Sequence, residues 1–206
     1  KGAATNPTQK ADSLRAGEWA AFHSGKTKDE RSRFVIEPED LSSIRAGFKS
    51  GNLPNWTETI EQVIRAKRLR EVRALTGFTR IEEAGDKCEL IPASLDPNVD
   101  WLPAYEVFGE GVFLTLNEKS LKEWETKSEV VDRIQKLTSG SANLRRNPNV
   151  GQISPRLYLL HTLSHLLIRQ LAFEAGYPSA SLRERLYLTE ENSPTDMAGV
   201  LIYTAA

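Results

Sequence analysis

His161 and His165, in the run HTLSH, stand four residues apart. On a helix that spacing puts both imidazoles on one face, within reach of a single metal ion. A zinc-protease helix also needs a Glu directly after the first His as general base, and here Thr162 holds that place. Glu174 and Glu184 are the candidate third ligands. Two histidines do not make a site, and Cys88 is the one thiol in the chain. The expectation is therefore a pair of buried imidazoles bonded to backbone or carboxylates, with no metal and no cofactor held by this chain. A metal-dependent hydrolase or nuclease using His161 and His165 is the competing enzyme reading. Serine chemistry lacks support, because no GxSxG elbow occurs and Ser164 faces a different direction from His165 on a helix. Cys88 has no nearby His to activate it.

The stretch AAFHSGKT, from Ala20 to Thr27, fits the loose form of a phosphate loop. Such a loop leaves a buried apolar strand and enters a buried helix. Charged and polar residues flank this one on both sides, so nucleotide binding beside Lys26 is not expected. Arginine offers a different chemistry, the bidentate contact with phosphate. Arg65, Arg70 and Arg73 read as outward-pointing residues of one element, and Arg145 and Arg146 stand together in a polar bridge. These are the candidate DNA contacts. Arg183 and Arg185 share one face of a short strand with Glu184 on the other, a pattern that suits a partner interface.

The whole composition narrows the classes. With 27 Lys+Arg against 28 Asp+Glu in 206 residues the net charge is −1, so any contact with nucleic acid must be local. At 39% hydrophobic residues the chain is globular, and a single cysteine points to a reducing, cytoplasmic setting. The most apolar stretch, Tyr158 to Phe173, holds His161, His165, Arg169 and Gln170, too polar for a bilayer span. The sequence opens on Lys1 rather than Met and without a basic and apolar leader, so its start is expected to be a processed or excised end and not a targeting signal. The final run, Gly199 to Ala206, reads as a buried strand with nothing after it, which is expected of a fragment of a longer protein or of a subunit completed by a partner.

The elements that position these residues follow from periodicity and punctuation. Residues 1–52 read as a flexible arm or small appended subdomain, with a short helix from Ser13 to Phe22, a strand at Phe34 to Ile36 and a helical turn near Asp40 to Phe48. Residues 53–206 read as the main domain. Ile60, Val63, Ile64, Val72 and Leu75 predict a helix from Thr57 that Gly77 terminates. Phe78 to Ile81 predicts a strand, and the turn-rich stretch from Glu83 to Pro103 a surface loop. Tyr105 to Leu116 is β, as two strands or as one strand with a glycine bulge. Leu121 to Leu137 predicts a second helix with Asn117 or Ser120 as N-cap. Ser154 and Pro155 open a long third helix to Gly176, with leucines on more than one face, expected to be buried against both sheet and helices. Leu182 to Leu188 and Gly199 to Thr204 are the last strands. The fold class is α+β, a mixed sheet on about three main helices.

In order along the chain, LREVRALTGFTRI (69–81), YEVFGEGVFL (105–114), HTLSHLLIRQLAFEAGY (161–177), SLRERLY (181–187) and AGVLIYTAA (198–206) together resemble the DrmB family, the helicase-associated component of the bacterial DISARM anti-phage system. The resemblance covers most of the chain from about Thr57. It implies a non-catalytic subunit that docks on a DrmA-like helicase and helps engage or regulate DNA, with the chemistry in the partner. It also implies further protein after Ala206, including a cysteine-rich, zinc-binding segment that this sequence lacks. A pure scaffold that never touches DNA is the remaining alternative.

Overall fold

The computed structural model describes residues 7–25, 33–43, 56–78, 91–93, 101–140, 154–189 and 196–204. Lys26, Thr27, Cys88, Arg145 and Arg146 lie outside them. The helices are α1 (Pro7–His23), α2 (Trp56–Thr59), α3 (Glu118–Glu125), α4 (Ser128–Gly140) and α5 (Pro155–Ala175). The strands are β1 (Val35–Pro38), β2 (Ile60–Ala74), β3 (Gly77–Phe78), β4 (Ile91–Pro92), β5 (Ala104–Leu116), β6 (Leu182–Leu188) and β7 (Ala198–Thr204). Five of them form one sheet in the order β1-β2-β5-β7-β6, and β3 pairs with β4. The class is α+β as expected, but the described pairings are antiparallel throughout rather than mixed. No helix among the described residues is long and apolar enough to cross a membrane.

The largest departure from expectation is β2, a 15-residue strand where the apolar spacing predicted a helix. Two irregularities explain the difference. The β2–β5 register shifts between Ile60 and Gln62 and again between Ala66 and Leu69. An extra residue at a bulge resets the in–out alternation. Ile60 and Val63, then Ala66 and Leu69, are thereby spaced three apart, and period 2 with two resets imitates period 3.6. The partner strand β5 is continuous from Ala104 to Leu116, which settles the question of one strand or two. Gly111 is required in it, since a Cβ there would stand 2.5 Å from the Ile202 carbonyl oxygen of β7.

Helical signals carried by end caps hold better. Ser154 accepts from the Leu157 N–H, Pro155 opens α5, and Gly176 closes it at φ 71°. Asn117 accepts from the Ser120 N–H at 3.0 Å, which selects it as the N-cap of α3. The single helix expected over 121–137 is two, because Thr126 caps α3 and α4 starts at Ser128. Ser13 to Phe22 lies inside α1. The predicted strand at 78–81 is described only as far as Phe78. Within the predicted 83–103 loop, Ile91 and Pro92 form β4.

Both faces of the sheet are covered. On one, Phe22 of α1 and Ile36 of β1 pack with Ile64, Phe113, Tyr187 and Leu201, with Trp19 against them. Phe22 stacks on Phe113 at 4.2 Å between centroids. Residues read as an arm therefore complete this layer, and the expected boundary near 52 falls outside the described residues. On the other face, Leu121 and Leu160 meet Leu114, Val200 and Ile202. The helix α5 buries one side here and leaves Leu166 and Phe173 exposed, so it is a covering helix and not the central one expected.

Candidate functional site

The strand β6 is at the edge of the sheet, and alternation sends its side chains to both layers. Glu184 faces α5, where it meets His161 Nδ1 at 3.0 Å. The buried Ser164 hydroxyl donates to the other Glu184 oxygen. His165 follows one turn after His161, and the two rings meet edge to face at 4.4 Å between centroids. One ligand atom each from His161, His165 and Glu184 fall within 4.8 Å of one another. The helical spacing was legible in the sequence. The expected burial of both imidazoles is not observed, because both histidines are exposed. Of the two candidate third ligands, Glu184 is brought to the pair, whereas Glu174 takes a hydrogen bond from Gln170 one turn away.

Arg183 and Arg185 point to the opposite face, as their spacing predicted. Arg185 is engaged within the chain: its Nε and an Nη donate to the two oxygens of Glu18 in α1, at 2.5 and 2.9 Å. Tyr187 donates to Glu18 as well, at 3.0 Å. Burial, reinforced by the negative charge of Glu18, raises the Tyr187 phenol far above its ordinary pKa. Arg183 is half exposed, with its guanidinium 3.9 Å from Glu71 of β2.

Arg156, which no motif in the sequence singles out, is 8% exposed at the start of α5. It donates to Glu125 and Glu118 of the α3 helix, to the Thr189 hydroxyl and to the Met197 carbonyl. Burial opposes its charge, but Glu125 and Glu118 outweigh that cost and raise its pKa. A fully bonded buried arginine of this kind orients elements and is a structural lock. An arginine directly after a capped proline is the one local hint of it.

Of the candidate DNA-binding arginines, the described Arg65, Arg70 and Arg73 each meet a carboxylate of their own sheet. Arg65 pairs with Glu37 and Glu39 across the β1–β2 ladder. Arg70 lies 3.3 Å from Glu106, and Arg73 pairs with Glu71. Arg70 and Arg73 belong to the outer half of β2, which pairs with β5 beyond the reach of both β1 and β7. There the two strands make a ribbon with Tyr105 57% and Phe108 43% exposed. The Arg73 guanidinium stands 5.7 Å from the Tyr105 ring centroid, and that of Arg68 6.0 Å from Phe108. Upstream, the GKT segment is preceded by a helix, α1, where a phosphate loop would leave a strand.

The chain matches no protein-family model. It is 34% identical over 209 aligned residues to the DISARM protein DrmB of Bacillus paralicheniformis (strain ATCC 9945a / NCIMB 11709 / CD-2). The match takes in 92% of this chain and 36% of that protein, so the chain spans about a third of its relative's length.

Proposed function

Over the span it covers the chain belongs to the DrmB family of DISARM proteins, and from that premise we propose that it is a non-catalytic part of a bacterial anti-phage defence complex. It docks on a DrmA-like helicase and helps engage or regulate DNA, while ATP-driven chemistry stays with the helicase. The single observation that carries this reading is the match to a DISARM protein along nearly the whole chain.

The ribbon of β2 and β5 supports the DNA half of the proposal. A two-stranded antiparallel ribbon has dimensions that the major groove of DNA admits. Arg70 and Arg73 lie on it, Arg65 lies nearer the sheet, and Arg145 and Arg146 are the further contacts in the polar bridge. Since Arg65, Arg70 and Arg73 each face a carboxylate of their own sheet, phosphate binding exchanges one anion for another. Arg183 is the better candidate than Arg185 for a protein partner, because Arg185 is already held by Glu18.

The test is DNA affinity of the complex with its helicase, measured across a salt series, with Arg65, Arg70, Arg73 and the Arg145–Arg146 pair replaced by Ala. Replacing an arginine that binds phosphate should weaken binding on all sequences and reduce the salt slope by about one. Unchanged affinity and slope would remove the assignment and favour a scaffold without DNA contact.

A further inference from the structure

We propose that His161, His165 and Glu184 form a binding site for a divalent transition-metal ion of the zinc class, held between α5 and the edge strand β6. Three donors converge from two elements, with their ligand atoms within 4.8 Å of one another. Two imidazoles and one carboxylate are a donor set that zinc accepts, and three protein ligands leave one position for water. Ligands at about 2.0–2.1 Å in tetrahedral array lie about 3.3 Å from each other. The 3.0 Å between His161 Nδ1 and Glu184 Oε1 is already close to that separation. Rotation of the exposed His165 ring about its side-chain torsions closes the remaining gap.

The surroundings favour a ligand role over a simple ion pair. Ser164 is fully buried and bonds the second oxygen of Glu184, which leaves the first directed at the histidines. A hydrogen bond of this kind orients a ligating carboxylate. Half of the His161 side chain and much of His165 remain open to solvent, so an ion has a path in. An ion here ties the edge strand to its covering helix, next to the hydrogen-bonded Ser164.

Zinc titration of the purified chain, followed by calorimetry and by thermal unfolding, tests this. About one equivalent should bind with micromolar or tighter affinity and raise the unfolding midpoint. His165→Ala and Glu184→Gln should each weaken binding at least about tenfold, while Glu174→Gln on the same helix leaves it unchanged. Cobalt(II) in place of zinc should give visible absorption of a low-symmetry site without a thiolate charge-transfer band. The proposal fails if the wild-type chain binds no zinc, if both variants retain wild-type affinity, or if a thiolate band shows the ion at Cys88. Circular dichroism of the variants separates loss of ligand from loss of fold, and Glu184→Gln keeps the acceptor for Ser164.

Discussion

The two halves of the β2–β5 ladder share one backbone pattern and differ in everything laid against it. Near the Ile60 and Leu116 ends, β1 and β7 extend the ladder on both sides, α1 covers one face and α5 with α3 covers the other. Phe113 in this half is fully buried. Near Ala74 and Ala104 no other described strand extends the ladder, and among the described residues Val72, Tyr105 and Phe108 stay exposed. Apolar side chains stabilise a fold only when something removes them from water. The inner half is therefore where folding energy is gained. The outer half is held by ladder hydrogen bonds and by cross-strand contacts such as Arg73 with Tyr105, and it presents a surface.

Substitution on the two halves measures that contrast directly. The largest effect belongs to Phe113→Ala, which empties the stack with Phe22 and should cost about 3–5 kcal/mol in denaturant unfolding. A loss below about 1 kcal/mol would mean that α1 does not seal this face. A second effect, confined to alkaline solution, comes from Tyr187 in the covered half. Its phenol is raised in the folded state by burial and by Glu18. The stability this contributes is complete below the ordinary tyrosine pKa of about 10 and declines above it, where the unfolded chain ionises first. Unfolding midpoints followed from pH 8 to 11 (about the range of interest) should fall for the wild type and fall less for Tyr187→Phe. Equal slopes would place Tyr187 in water. The smallest effect is expected on the ribbon, where Phe108→Ala should change stability by no more than about 0.5 kcal/mol. A loss as large as that for Phe113 would show that the ribbon is packed against something and erase the distinction between the halves.

Legibility followed the range of the forces involved. Ser154, Pro155 and Gly176 act on their own turns of backbone, so the limits of α5 could be read without knowing what it packs on. The strands β6 and β7 were equally clear, because β7 is a run of β-branched and aromatic residues and β6 sets Arg183 and Arg185 against Glu184 in period 2 before the apolar Leu186 to Leu188. Strand β2 was not, since its bulges are defined against β5, more than 30 residues away, and nothing near Ala66 announces them. The role of residues 7–25 was hidden for a related reason. Glu18, Trp19 and Phe22 are spaced as on any weakly amphipathic helix, and their meaning lies in Arg185, Gly199 and Phe113. At Gly199 a Cβ would stand 2.8 Å from the Trp19 ring, so the absence of a side chain there is what admits α1 to the sheet.

For the site, sequence alone determined that His161 and His165 share a helical face and that Arg183 and Arg185 oppose Glu184. Those relations depend only on the pitch of a helix and the pleat of a strand. Which carboxylate joins the histidines, and which arginines are already bound to Glu18, Glu37 or Glu106, was decided by tertiary structure. Glu184 is 20 residues from Ser164 and reaches it because β7 holds β6 beneath α5. Contacts of that range depend on how every intervening element packs, and no local pattern of residue types encodes them.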